Sequence, residues 1–199
     1  MNGHMLNDRT SALSLLRTRR SGRPREMVGP GPSGEELRQI LEIGMRVPDH
    51  GKLTPWRFVV VAKDQREHLA VLLHKALQSE DECAGPAHHE KEDQFARQGE
   101  VLIVLISSPV PDHKIPVWEQ ELSAGAAAMN LLAAAHALGY VGGWITGWRA
   151  YSTIVNAAFA GPGERIAGFI FIGSPDRELE ERPRPDPAQI VKKWTPPVD

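Results

Sequence analysis

The chain has 199 residues, 41% hydrophobic and 24% charged, with a net charge of −2 at pH 7. That length fits one domain with a real core, and the near-neutral balance excludes bulk attraction to nucleic acid or to an anionic membrane. A single cysteine, Cys83, excludes an intrachain disulfide. No run approaches the roughly 20 apolar residues of a membrane span, and Met1 to Asp8 lacks an apolar signal core. A cytoplasmic protein is expected.

Residues 1–8 read as a flexible N-terminus, and 9–199 as a single domain that includes a C-terminal extension over about 174–199. The first helix is expected over 9–18, and a second over 33–46, with Ser33 as N-cap and Glu35-Glu36 in its first turn. A strand follows over Trp56 to Ala62, then helices over 64–79 and 87–98. His88 and His89 lie in the latter; adjacent helical residues point about 100° apart, so the pair makes a poor chelate. The continuous apolar run Val101 to Ser107 reads as a strand buried on both faces. The helix over 119–138 is small or apolar on nearly every side, as a central buried helix should be. A tight intrachain core and a position near a dimer axis are both open to it. Glu119 and Glu121 suit the dipole at its start. A helix over 151–159, capped by Ser152 or a neighbour, and a strand over Ala167 to Gly173 complete the domain. Six prolines from Pro175 to Pro197 exclude helix in the tail. Its apolar end, Ile190, Val191 and Trp194, favours docking on a neighbouring surface.

Three separated patches carry donors and glycines. Arg19-Arg20-Ser21-Gly22-Arg23 follows the first helix, and planar guanidiniums fit phosphate oxygens bidentately. Taken alone, such a cluster also suits a helix C-terminus. The second patch, Gly44 to Phe58, presents Arg46, His50 and Lys52 on a loop that ends at Pro55-Trp56. The third, Gly139 to Gly147, contains Gly142-Gly143-Trp144-Ile145-Thr146. It reads as a turn entering a short strand, and its glycines admit a flat ring. It lacks the dinucleotide-binding G-x-G-x-x-G spacing and the P-loop Lys. No nucleophile elbow or Cys–His pair appears. Together the patches point to a phosphorylated cofactor of the flavin type, which needs a phosphate receptor, an apolar slot and a cation near N1.

Those motifs resemble the FMN-dependent nitroreductase family, whose members carry Arg-x-Ser after the first helix, an Ala-Pro-Ser-x-x-Asn-x-Gln-Pro-Trp-like loop and a late Gly-rich turn. They stand here as Arg19-Arg20-Ser21, Val47 to Trp56 and Gly142 to Gly147. Two runs are similar to the small NAD(P)H nitroreductase branch: Arg46-Val47-Pro48-Asp49-His50, and Pro116 to Gly125. The resemblance spans about residues 10–195. Lys52 and Thr54 stand where the wider family's loop has Asn and Gln.

The resemblance implies an α+β fold, with a mostly antiparallel central sheet flanked by helices and a C-terminal extension wrapping the dimer partner. It implies a homodimer with two FMN sites at the interface. Arg19, Arg20 and Ser21 would bind FMN from one subunit, and Arg46 and His50 from the other. Gly143 would give the ring backbone access, Trp144, Ile145 and Thr146 would line it, and Arg23 would be the cation near N1. Arg184 resembles a phosphate-binding arginine of the wider family. The bulk of Trp144 and Trp148 implies a narrow pocket. The implied activity is ping-pong hydride transfer from NAD(P)H, as cosubstrate, through flavin N5 to a small-molecule acceptor such as a nitroaromatic or quinone. A flavin-binding storage or sensing module, and an anion-binding interaction protein without flavin, are the alternatives.

Overall fold

β3 (Val101–Ser107) lies in the middle of the sheet because every second side chain has a hydrophobic layer to enter. Leu102, Val104 and Ile106 point into one cluster and Ile103 and Leu105 into the other, and all five are fully buried. The structure, a computed structural model, describes residues 5–197. In chain order the remaining elements are α1 (Ala12–Thr18), β1 (Met27–Val28), α2 (Gly34–Gly44), β2 (Trp56–Val61), α3 (Arg66–Glu80), α4 (Pro86–Arg97), α5 (Val117–Ala137), β4 (Val141–Ile145), α6 (Trp148–Tyr151), α7 (Thr153–Phe159), β5 (Arg165–Pro175) and α8 (Pro187–Ile190).

The sheet is antiparallel throughout. β5 pairs with β3 along one edge and with β4 along the other, since Phe169 to Ile172 face both strands. β2 pairs with β3, and β1 meets the end of β5. The order β4–β5–β3–β2 makes β4 an edge strand. One face is covered by α2 and α5, through Ile40, Ala124, Ala127, Ala128, Leu131 and Leu132. The other is covered by α3, α4 and α7, through Leu69, Leu73, Phe95 and Val155. This is the expected α+β arrangement.

All six expected helices are present, with ends displaced by a few residues. α1 is shorter than expected because Ser11 caps it, accepting from Ser14 N at 3.0 Å. Ser33 and Glu36 form a reciprocal capping box on α2, which satisfies two otherwise unpaired backbone donors. Ser152 caps α7. Two readings need correction. Residues 141–145 are already strand rather than a turn leading to one. The proline-rich tail does contain helix, one turn over Pro187–Ile190, because Pro187 sits at the first helical position, where its missing N–H would have had no partner.

Of the expected flexible N-terminus, residues 1–4 lie outside the described residues. Asn7 and Asp8 are tied to α1 and the segment after it: Asn7 N and Asp8 N donate to Thr18, and Asn7 Oδ1 accepts from Arg20 N at 2.8 Å. Among the described residues no helix is long and apolar enough to cross a membrane.

One buried ion pair joins the second layer. Glu92 of α4 accepts from both Arg149 Nε and Nη2, and the Arg149 guanidinium lies 4.1 Å from the centroid of the Phe95 ring. Both side chains are largely buried. Removing one partner strands the other charge in an apolar setting, so Glu92→Ala should cost about 3–5 kcal/mol of stability. Urea unfolding of the two proteins measures it.

Candidate functional site

β4 is an edge strand, so alternate residues turn both backbone polar groups away from the sheet. Gly142 is one of them. Its carbonyl accepts from Gly22 N at 3.2 Å, and its N–H donates to His136 Nε2 at 3.1 Å. The arginine segment that follows α1 is thereby fixed on the glycine patch of β4, and two of the three motifs become one site. The contact is close enough to require glycine. A Cβ on Gly143 would lie 2.8 Å from the Gly22 carbonyl oxygen, one on Gly142 2.6 Å from Leu132 Cδ2, and one on Gly22 2.9 Å from Val141 Cγ2. Gly143 therefore serves first the approach of the arginine segment, where the sequence had pointed to the approach of a ring.

On this support stand Arg19, Arg20 and Ser21, and the tail brings Arg184 to them. Arg184 Nη2 donates to the Arg19 carbonyl at 3.2 Å and to Glu181 at 2.9 Å. Arg20 Nε donates to the Glu180 carbonyl at 2.7 Å. Arg19 makes no ion pair among the described residues; its guanidinium donates to Ser21 Oγ at 3.3 Å. Burial, and then the nearby Arg184 and Arg20 guanidiniums, lower the Arg19 pKa. Two cations, Arg184 and Arg20, thus lie near a third, Arg19, that makes no ion pair among the described residues, which is an arrangement an anion relieves. Arg23 is turned aside, its guanidinium 3.2 Å from Glu26 and 4.0 Å from Glu180.

Further along β4, the Trp144 indole donates to the Ala167 carbonyl at 3.1 Å. It occupies the space that a Cβ on Gly168 would fill, 2.0 Å from Trp144 Nε1, where the β3–β5 register shifts. Trp144 is therefore a fixed, half-exposed plate. Ile145 packs on the core beside it and Thr146 is half-buried.

The second patch, Gly44 to Phe58, is held elsewhere in the same chain. His50 Nδ1 is 2.7 Å from Glu119 Oε2, at the first turn of α5, so Glu119 has a partner besides the helix dipole. Asp49 accepts from Leu53 N and Thr54 N and fixes the loop, and Asn130 donates to the Arg46 carbonyl at 2.8 Å. His136 is in the last turn of α5. Seventeen residues at about 1.5 Å each put some 25 Å between the Glu119 and His136 ends. One chain does not bring His50 to the arginines.

His136 is the residue that sequence reasoning missed. It looks like one more member of an apolar helix, and only its contact with Gly142 sets it apart. It is fully buried. Burial first, then the Arg19 guanidinium, push its pKa down from 6.5 to about 4. Only the neutral ring can accept the Gly142 N–H, because a protonated ring has no lone pair to offer. The unfolded chain takes up this proton below pH 6.5 and the folded one does not until about pH 4. The stabilisation is therefore complete above pH 6.5 and is lost as pH falls toward 4, by about 3 kcal/mol in all. Urea unfolding from pH 7.5 to pH 4 should show that loss in the wild type and not in His136→Gln. Gly143→Ala, which drives a methyl group into the Gly22 carbonyl, should cost about 1–3 kcal/mol, read as a lowered Tm.

The fold agrees with what the chain is similar to. The sequence model of the nitroreductase family matches residues 16–174. A protein of Escherichia coli (strain K12), "Putative NAD(P)H nitroreductase YdjA", is 35% identical over 185 residues, covering 90% of this chain and 97% of its own. Among solved structures, a nitroreductase-like family protein from Bacillus cereus superposes with a TM-score of 0.81 at 20% identity, covering 93% of this chain and 96% of that one. The FMN and NADPH-dependent nitroreductase NfnB from sphigopyxis sp. strain HMH does so with a TM-score of 0.73 at 18% identity, covering 93% and 99%. With a family match over most of its length, and a relative more than 30% identical across nearly all of both chains, this chain belongs to the nitroreductase family.

Proposed function

We propose that the protein is an FMN-dependent oxidoreductase that takes reducing equivalents from NAD(P)H, with the flavin phosphate held by Arg19, Arg20, Ser21 and Arg184. The observation that carries the reading is the guanidinium of Arg19, partly buried beside two like charges and without an ion pair among the described residues. A phosphate monoester, with nearly two negative charges, fits that donor set. The names of the Escherichia coli relative and of the sphigopyxis enzyme, NAD(P)H nitroreductase and FMN and NADPH-dependent nitroreductase, support it.

Bound FMN would supply a centre at ring N5 that accepts hydride from NAD(P)H and passes it to an electron-poor acceptor such as a nitroaromatic or quinone. The protein's share is placement and electrostatics. The arginines fix the phosphate end. Trp144, held flat by its bond to Ala167, offers one wall for the ring, with Ile145 and Thr146 next to it. No side chain at this site is required to transfer a proton.

The reading includes a homodimer, for two reasons of geometry. Along α5, Trp118 (66% exposed), Leu122 (53%), Gly125 and Met129 (37%) follow one another at helical spacing, and exposed Ile43 and Met45 lie at the neighbouring end of α2. Such an apolar stripe is what an isologous interface covers. The middle of α5 is Ala127, between Gly125 and Met129 of this stripe. A two-fold axis there places the Glu119 end of one α5 toward the His136 end of the other, and so carries the partner's His50 to the arginine cluster.

The test is spectroscopic. Purified protein should be yellow, bleach when NADH or NADPH is added without oxygen, and recover its colour with a quinone. Protein that stays colourless after incubation with FMN sinks the proposal. Arg19→Ala removes a charge-assisted contact worth about 1.5–3 kcal/mol, so its Kd for FMN should rise roughly 10- to 100-fold.

A further inference from the structure

We propose that His136 is the positioning residue of the anion cradle: its imidazole holds Gly142 in the place that lets Gly22, and with it Arg19–Ser21, lie on the edge of β4. This rests on the reading of that cluster as a phosphate cradle and adds to it a residue that touches no ligand.

The argument starts from what an edge strand leaves open. Gly142 turns its N–H and its carbonyl away from β5, and each needs a partner. The carbonyl is taken by Gly22 N. The carbonyls at the end of α5 are also acceptors, but two of them are already engaged: Ala135 accepts from Tyr140 N and His136 from Gly139 N. The N–H of Gly142 therefore finds a side chain, and Nε2 of His136 supplies the lone pair. Leu132 Cδ2 packs where a Cβ on Gly142 would be, which closes the third side. Gly142 is thus clamped by two residues of α5 and one of the arginine segment.

The clamp fixes the tautomer. If Nε2 accepts, the ring proton is on Nδ1. Nδ1 is buried and has no partner among the described residues. A buried donor left unmade is costly, and an aliphatic side chain in an otherwise apolar helix would avoid it. The imidazole is accounted for by what Nε2 does. Its neutrality has a use as well: a protonated ring could not accept from Gly142. From His136 to the arginines the path is two hydrogen bonds long, and without the first the Gly142 N–H is stranded. The strand edge can then recover a partner only by moving, and the arginine segment moves with it.

Two substitutions separate positioning from mere filling of space. His136→Gln keeps an acceptor near the reach of Nε2, and His136→Met keeps the volume without one. The readouts are the Kd values of FMN and of riboflavin, from flavin fluorescence, and the hydrogen exchange of the Gly22 and Gly142 amides. In His136→Met the Kd for FMN should rise about tenfold, that for riboflavin should stay within twofold, and both amides should exchange at least tenfold faster. His136→Gln should restore all three to within threefold of wild type. Unchanged FMN binding and exchange in His136→Met would overturn the proposal, and so would equal weakening of FMN and riboflavin, which marks a packing role. Should His136→Met not fold, the wild type decides: long-range proton–nitrogen spectra at pH 7 should show Nε2 unprotonated, and a protonated Nε2 refutes the relay. Wild-type protein that binds no FMN refutes the flavin reading, while the exchange and tautomer results still judge His136.

Discussion

An antiparallel sheet that ends in β4 exposes a row of backbone donors and acceptors, and this chain uses that exposed edge to build its site. Gly142 is where the edge is closed: Gly22 satisfies its carbonyl and His136 its N–H. Residues 120 apart in sequence are joined by one hydrogen bond. The arginines that follow Gly22's neighbour α1 would otherwise be a charged loop in solvent. Fixed on β4, they become a group of donors in which one cation, Arg19, makes no ion pair among the described residues.

The same edge explains the glycines. Three close approaches, at Gly22, Gly142 and Gly143, leave no room for a methyl group between the loop, the strand and α5. Backbone freedom is secondary to contact distance at these positions. A fourth glycine, Gly168, does a related service across the strand by making space for the Trp144 indole. Ring-facing and chain-facing roles of a glycine-rich run look alike as sequence, and here the chain-facing role comes first.

α5 ties the halves of the proposed site together. It is buried by Ala124, Ala127, Ala128 and Leu131 against the sheet, yet its outer side carries exposed Trp118 and Leu122. Its first turn holds His50 through Glu119, and its last turn holds β4 through His136. A helix of about 30 Å keeps those two ends apart within a chain, and the proposed two-fold axis through its middle would bring opposite ends together. The tail adds a strap at the arginines, where Glu180 and Arg184 reach Arg20 and Arg19. Beyond it, Ile190, Val191 and Trp194 stand exposed on this chain.

Local pattern was enough for much of this. The six expected helices, the doubly buried strand Val101–Ser107, the Ser33 cap and the three donor patches are legible because each depends on neighbours within a few residues: periodicity, an N-cap hydroxyl, a run of guanidiniums. The order and spacing of the patches also carried the family resemblance. What tertiary structure alone decided are matters of partner. β4 reads as a turn because glycine has low strand propensity, and pairing with Phe169 to Ile172 overrides that. Arg23 sits in the arginine run, but Glu26 and Glu180 draw it aside. His136 is indistinguishable in sequence from a satisfied core histidine, since its acceptor role exists only once an edge strand places an unpaired N–H in front of it.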